Sequence, residues 1–130
     1  MTIRILLLWA AIIPLAIANG MLRDAVLARS FGQSRARTVS GLSLSAVILA
    51  WALLTITWIP FPGPLPYVGV GLLWLALTVA FEFLFGRLVA RKSWRELLRA
   101  YRFEGGDIWP IILIVVAASP LAAAALRVLP

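Results

Sequence analysis

Of the five acidic residues in the chain, Asp24, Glu82, Glu96, Glu104 and Asp107, only Glu82 falls inside a long apolar run. A carboxylate facing lipid costs about 2.5–3.5 kcal/mol at a helix centre, so Glu82 is expected to point toward protein. Counted at about 1.5 Å per residue from Tyr67, it lies roughly 22 Å deep. The same count puts Asn19 at about 21 Å from Ile5, and Ser43 at about 24 Å from Ile59. Polar groups on three helices thus share one level. Arg23 follows Asn19 by four residues and shares its helical face. The spacing predicts a buried polar cluster of Asn19, Arg23, Ser43 and Glu82, with Arg23 as the ionic partner of Glu82. Thr78 and Gly86 flank Glu82 on its own face, and Ser40 is one turn from Ser43. Asp24 and Arg87 sit lower, at the inner rim. Two chemistries fit such a cluster: an ion pair that fixes helix order and register, or a carboxylate that carries protons or cations. Glu82 is only about 7 Å from the inner edge and has an arginine near it, which favours the ion pair.

Other chemistry is missing. Cysteine and histidine are both absent. Disulfides, cysteine nucleophiles, zinc and iron–sulfur sites, histidine-ligated haem and any Ser-His-Asp triad are therefore excluded. No glycine-rich loop ends in Lys-Ser or Lys-Thr, and Gly69-x-Gly71 lacks the third glycine of a dinucleotide fingerprint. Glu104 and Asp107 stand at a helix boundary, where carboxylates act as caps. The expectation is a non-enzyme with no catalytic residue, cofactor or metal.

The elements that place these residues follow from composition. The 130 residues are 63% hydrophobic and 13% charged, with a mean hydropathy of +1.02. Soluble domains carry about 45–50% apolar and about 25% charged residues. So few charges cannot enclose so apolar a core, and lipid must be the solvent for most of the chain. Charge-free runs extend over Ile5–Leu22, Thr38–Phe81 and Ile108–Leu126. The second is too long for one span, and Pro60, Pro62, Pro64 and Pro66 divide it by a tight non-helical connection. The fold class is an all-α membrane protein, a single bundle over residues 1–130 with spans at 4–22, 38–59, 67–86 and 108–126. Arg4, the apolar stretch after it and Ala16-Ile17-Ala18 imitate a signal peptide. Cleavage there would export Arg23, Arg29, Arg35 and Arg37, the wrong charge for an exported flank, so an uncleaved first helix is the better reading.

Orientation follows from the basic residues. The 23–37 connection holds four of them. The 87–107 connection holds six: Arg87, Arg91, Lys92, Arg95, Arg99 and Arg102. Four plus six is ten of the twelve. The positive-inside rule then places both connections in the cytoplasm and both termini in the periplasm of a bacterial inner membrane. Trp58, Phe61 and Tyr67 fall at the outer interface, and Trp94, Tyr101 and Trp109 at the inner one, where amphipathic rings prefer to lie. The net charge of +7 is one-sided. It faces membrane lipids rather than nucleic acid, whose recognition needs a basic soluble face.

Ser93 and Glu96 have capping-box spacing. Trp94, Leu97, Leu98 and Tyr101 then form one apolar stripe, and Gly105 and Gly106 stop it. This predicts a short amphipathic helix at about 93–103, between the third and fourth spans. It lies in the interface, with Arg91, Lys92, Arg95, Arg99 and Arg102 toward anionic headgroups. Arg23–Phe31 is expected to prolong the first helix with Gly32 as its stop, and Gln33–Arg37 to form a loop. Trp9, Trp51 and Trp74, on three spans, are expected to cluster as aromatic core.

Asn19-Gly20-x-x-Arg23, Phe81-Glu82-x-x-Phe85-Gly86-Arg87, Ser93-Trp94, and Tyr101 before Trp109 resemble a group of small bacterial four-helix membrane proteins. That resemblance implies the four-helix architecture and no activity. The chain does not resemble the small multidrug transporters, which carry an acidic residue in the first span. The expected role is non-enzymatic: an accessory, interaction or lipid-organising protein, with a protein partner or a second copy as further candidates. The alternative is an oligomeric transporter or channel for protons or cations that uses Glu82. It requires a polar path through the outer half, where only Thr55, Thr57, Thr78 and Ser119 offer polar side chains.

Overall fold

The computed structural model describes residues 2–89, 91–102 and 108–127. Every regular element among them is helical. Helix α1 (Thr2–Leu22) continues through a π-turn (Arg23–Leu27) into α2 (Ala28–Phe31). Helix α3 (Gln33–Thr55) ends in a 3-10 turn (Ile56–Trp58), and α4 spans Pro64–Leu88. Helix α5 (Trp94–Arg99) runs into a second 3-10 turn (Ala100–Arg102), and α6 spans Trp109–Arg127. Four helical stretches are long and apolar enough to cross a membrane: Thr2–Leu27, Ser34–Trp58, Pro64–Leu88 and Trp109–Arg127.

Two connections are shorter than the sequence suggested. Gln33–Arg37 is not a loop but the start of α3. Gly32 alone makes the turn, at φ 83°, a conformation that costs glycine little. The Ala36 N–H then bonds back to the Gly32 carbonyl at 3.0 Å, so the helix begins at once. In the proline connection only residues 59–63 are non-helical. Pro64 and Pro66 open α4, because N–H groups of a first helical turn have no intrahelical partner to lose. Tyr67, fully buried, clasps this connection. Its hydroxyl donates to the Ile59 carbonyl at 3.1 Å and accepts from the Phe61 N–H at 2.8 Å.

Helix α6 packs along both α3 and α4, and α1 packs along α3. The core joins Ile5, Leu8 and Ile12 of α1 to Ile48 and Ala52 of α3, Val70 and Trp74 of α4, and Val116 and Ala124 of α6. The α4–α6 crossing is close: a Cβ on Gly71 would stand 1.9 Å from the Ala117 carbonyl oxygen. Pro120 lies inside α6 and supplies no N–H for the Val116 carbonyl. The buried Ser119 hydroxyl donates to that carbonyl instead, at 3.1 Å.

The three tryptophans do not stack on one another. Each indole N–H donates to a neighbouring helix: Trp9 to the Thr78 hydroxyl at 3.0 Å, Trp51 to the Leu8 carbonyl at 3.1 Å, and Trp74 to the Ile5 carbonyl at 3.2 Å. A buried indole needs an acceptor, and that need outweighs ring–ring packing. These bonds tie α1 to α3 and to α4. At the same end, Arg4 donates to the Trp58 carbonyl at 3.0 Å and lies over the Trp58 ring, while Arg127 donates to the Leu53 carbonyl. Both arginines thus serve carbonyls at the C-terminal end of α3, where cations are favoured.

Candidate functional site

Glu82 is half-buried on α4. Its Oε2 accepts two hydrogen bonds, each 2.7 Å long, from the Tyr101 hydroxyl and the Trp109 indole N–H. One oxygen therefore joins α4, the turn after α5 and the start of α6. Phe83 stacks on Tyr101, with centroids 6.0 Å apart and planes 7° from parallel, and lies 5.7 Å from Trp94. Burial first, and then the bond to the Glu82 carboxylate, push the Tyr101 phenol up to about 12, so it remains a donor.

The segment carrying Tyr101 is stitched to the end of α4. The Lys92 N–H donates to the Gly86 carbonyl at 2.7 Å, and Arg87 donates to the Lys92 carbonyl at 3.0 Å. Arg87 also lies 5.1 Å over the Trp94 ring. Leu97 is buried against Gly86, where a Cβ would stand 2.3 Å from its Cδ2. The short helix is present, and its cap forms: the Glu96 N–H donates to Ser93 Oγ at 3.2 Å, and the Ser93 hydroxyl lies 3.3 Å from Glu96 Oε1. It is shorter than expected, with a 3-10 turn completing it. The stop at Gly105 and Gly106, and the caps at Glu104 and Asp107, lie outside the described residues. Arg91, Lys92, Arg95 and Arg102 are exposed, and the Arg99 side chain is not among those described.

The expected cluster is divided. Asn19 and Ser43 do meet: Asn19 Nδ2 donates to Ser43 Oγ at 3.1 Å, and Ser40 donates to Asn19 Oδ1, binding α1 to α3. Glu82 takes its two bonds from Tyr101 and Trp109 in place of the expected Arg23. Arg23 pairs with Asp24 instead, Nε to Oδ1 at 3.2 Å. The π-turn starts at Arg23 and closes i→i+5 bonds, so α-helical spacing no longer predicts where side chains point. Sequence spacing also missed Tyr101 and Trp109 as partners. Both carry an N–H or O–H donor and fall at the inner interface, just below Glu82, a signal that a depth count along the apolar runs alone passes over.

Asn19, Arg23 and Glu82 nevertheless line one cavity of about 630 Å³, which runs between α1 and α4 and is bounded also by α3, α5 and the start of α6. Arg37, Ser40, Lys92 and Glu96 complete its polar end. Ile12, Ile13, Ala16, Ile17, Phe81 and Phe85 form its apolar wall. The lining begins at Trp9 on α1 and Thr78 on α4, the two residues joined by a hydrogen bond, and includes nothing nearer the other end of either helix. Among the described residues no group of three metal-ligating side chains occurs. Comparison with known protein families, with curated proteins and with solved structures gives no match.

Proposed function

We propose that this chain is a non-enzymatic, multi-pass protein of the bacterial inner membrane, with both termini periplasmic, that organises lipid at the cytoplasmic leaflet. The observation that carries the reading is the extent of the cavity lining: it joins Glu82 to Arg37, Lys92 and Glu96 and includes nothing beyond the Trp9–Thr78 bond. A transport path would need polar lining beyond that level, and there the core is Ile5, Leu8, Ile48, Ala52 and Trp74. The two bonds to Glu82 support a structural carboxylate that holds α4, α6 and the α5 turn together. The exposed Arg91, Lys92, Arg95 and Arg102 suit anionic headgroups, each worth about 1 kcal/mol near a charged surface.

The test is proton flux into liposomes loaded with a pH-sensitive dye. Wild-type and Glu82→Gln proteoliposomes should leak at the rate of empty ones, while Glu82→Ala lowers the melting temperature in detergent. A wild-type flux above background that Glu82→Gln removes would establish the transport reading in its place.

A further inference from the structure

We infer that the cavity between α1 and α4 holds one acyl chain of an anionic phospholipid, with the lipid phosphate seated between Arg23 and Lys92. The inference rests on the lipid-organising reading and adds an individual binding site to it. Three observations meet here. First, the cavity is amphipathic along its length, apolar at Ile12, Ile13 and Phe81 and charged at Arg23, Arg37 and Lys92. From Trp9 to Arg23 it follows fourteen residues of helix, about 21 Å, which exceeds the ~15 Å of one hydrocarbon leaflet. A chain can therefore lie fully inside with its phosphate at the arginine. Its volume falls within the range of roughly 300–1,000 Å³ usual for ligand sites.

Second, the π-turn begins at Arg23 and the guanidinium folds back along α1: a Cβ on Gly20 would stand 3.7 Å from its Nη2. A lone arginine near a helix end extends toward water. This one lines the cavity instead. Among the described residues its partner is Asp24, through Nε, which leaves the Nη donors toward the cavity. Those donors suit a phosphate oxygen pair. π-turns recur at functional positions in helices.

Third, the charges sort by occupation. The acidic lining residues are Glu82 and Glu96. Glu82 accepts from Tyr101 and Trp109, and Glu96 lies against the Ser93 hydroxyl. The cationic lining residues are Arg23 in the π-turn, Arg37 on α3 and Lys92 before α5. A phosphodiester between Arg23 and Lys92 brings one negative charge and offers one non-bridging oxygen to each.

Native mass spectrometry of the delipidated full chain tests this with three probes: dioleoyl phosphatidylglycerol, dioleoylglycerol, which has the acyl chains without the phosphate, and glycerol phosphate. One phosphatidylglycerol should be retained at least about tenfold more tightly than dioleoylglycerol, the size of one charge-assisted hydrogen bond. Glycerol phosphate alone should not be retained. The double change Arg23→Ala and Lys92→Ala should remove the preference. Ile13→Trp should fill the apolar end and abolish retention of both lipids; Ile17→Trp, at a half-exposed position on the same wall, repeats the test where the fold tolerates bulk. Equal retention of the two lipids, lost in the tryptophan variants, would overturn the phosphate site and leave the lipid reading standing. Retention unchanged in both tryptophan variants would overturn the cavity as the place. Retention of glycerol phosphate alone would make it a soluble-anion site. No lipid retained at all would remove the lipid-organising reading itself.

Discussion

A carboxylate in an apolar helix is stable when donors converge on it, and two aromatic donors do so at Glu82. Hydrogen bonds to charged groups are worth about 1.5–3 kcal/mol. Tyr101→Phe should cost about that much in thermal or denaturant stability. Glu82→Gln keeps an amide oxygen that can accept both bonds and should cost less than Glu82→Ala. The double change Tyr101→Phe and Glu82→Ala should cost less than the two singles together; strict additivity would mean the bond contributes nothing. Alkaline pH reaches the same contact. The Tyr101 pKa is raised from 10.0 to about 12. Its contribution is therefore complete below pH ~10 and lost as pH rises through the folded value. Tyrosinate absorbance in a Tyr67→Phe background should report that late transition. Glu82→Ala should move it only part of the way back, because burial is the larger cause. The sequence placed Glu82, Asn19 and Ser43 at one level, since depth follows from residue count. It could not assign the partners of Glu82, because a π-turn at Arg23 and the packing of residues 94–101 against the end of α4 decide which side chains meet it.

At the scale of elements, the four long helices were legible because each is an unbroken apolar run long enough to cross a bilayer, and the Gly32 stop because glycine takes positive φ cheaply. Gln33–Arg37 was misread: polarity there marks the exposed start of a helix as well as it marks a loop. Contact distances between helices left even less trace, and Gly69 and Gly71 show why. They are two residues apart on α4 and indistinguishable as letters. A Cβ on Gly69 meets nothing within 4 Å, whereas one on Gly71 meets backbone of α6 at 1.9 Å. Gly69→Ala should gain up to about 1 kcal/mol from helix propensity. Gly71→Ala should cost about 1–3 kcal/mol or more, since backbone cannot step aside as a side chain does. Gly86→Ala should fall between, because its obstacle is the end of the Leu97 side chain. Melting temperatures of the three variants in one detergent check the order. Equal effects at Gly69 and Gly71 would mean that α4 and α6 do not cross at Ala117.

At the scale of the molecule, the two ends of the bundle use their arginines differently. Arg4 and Arg127 are bound to carbonyls at the end of α3, where each neutralises a helix terminus. The ten other basic residues fall within 23–37 and 87–102, and those described are largely exposed. Orientation responds to basic residues near span ends. A fixed cap is therefore expected to count for little and the exposed arginines for much. An alkaline phosphatase fused at the C-terminus should be active, and a fluorescent protein there dark. Arg4→Gln with Arg127→Gln should lower stability and leave both signals unchanged. Replacing Arg29, Arg35, Arg95 and Arg102 by glutamine, and adding lysines after residue 130, should weaken the bias until fluorescence appears. A fluorescent wild-type fusion without phosphatase activity would invert the orientation, and with it the leaflet that the groove between α1 and α4 faces.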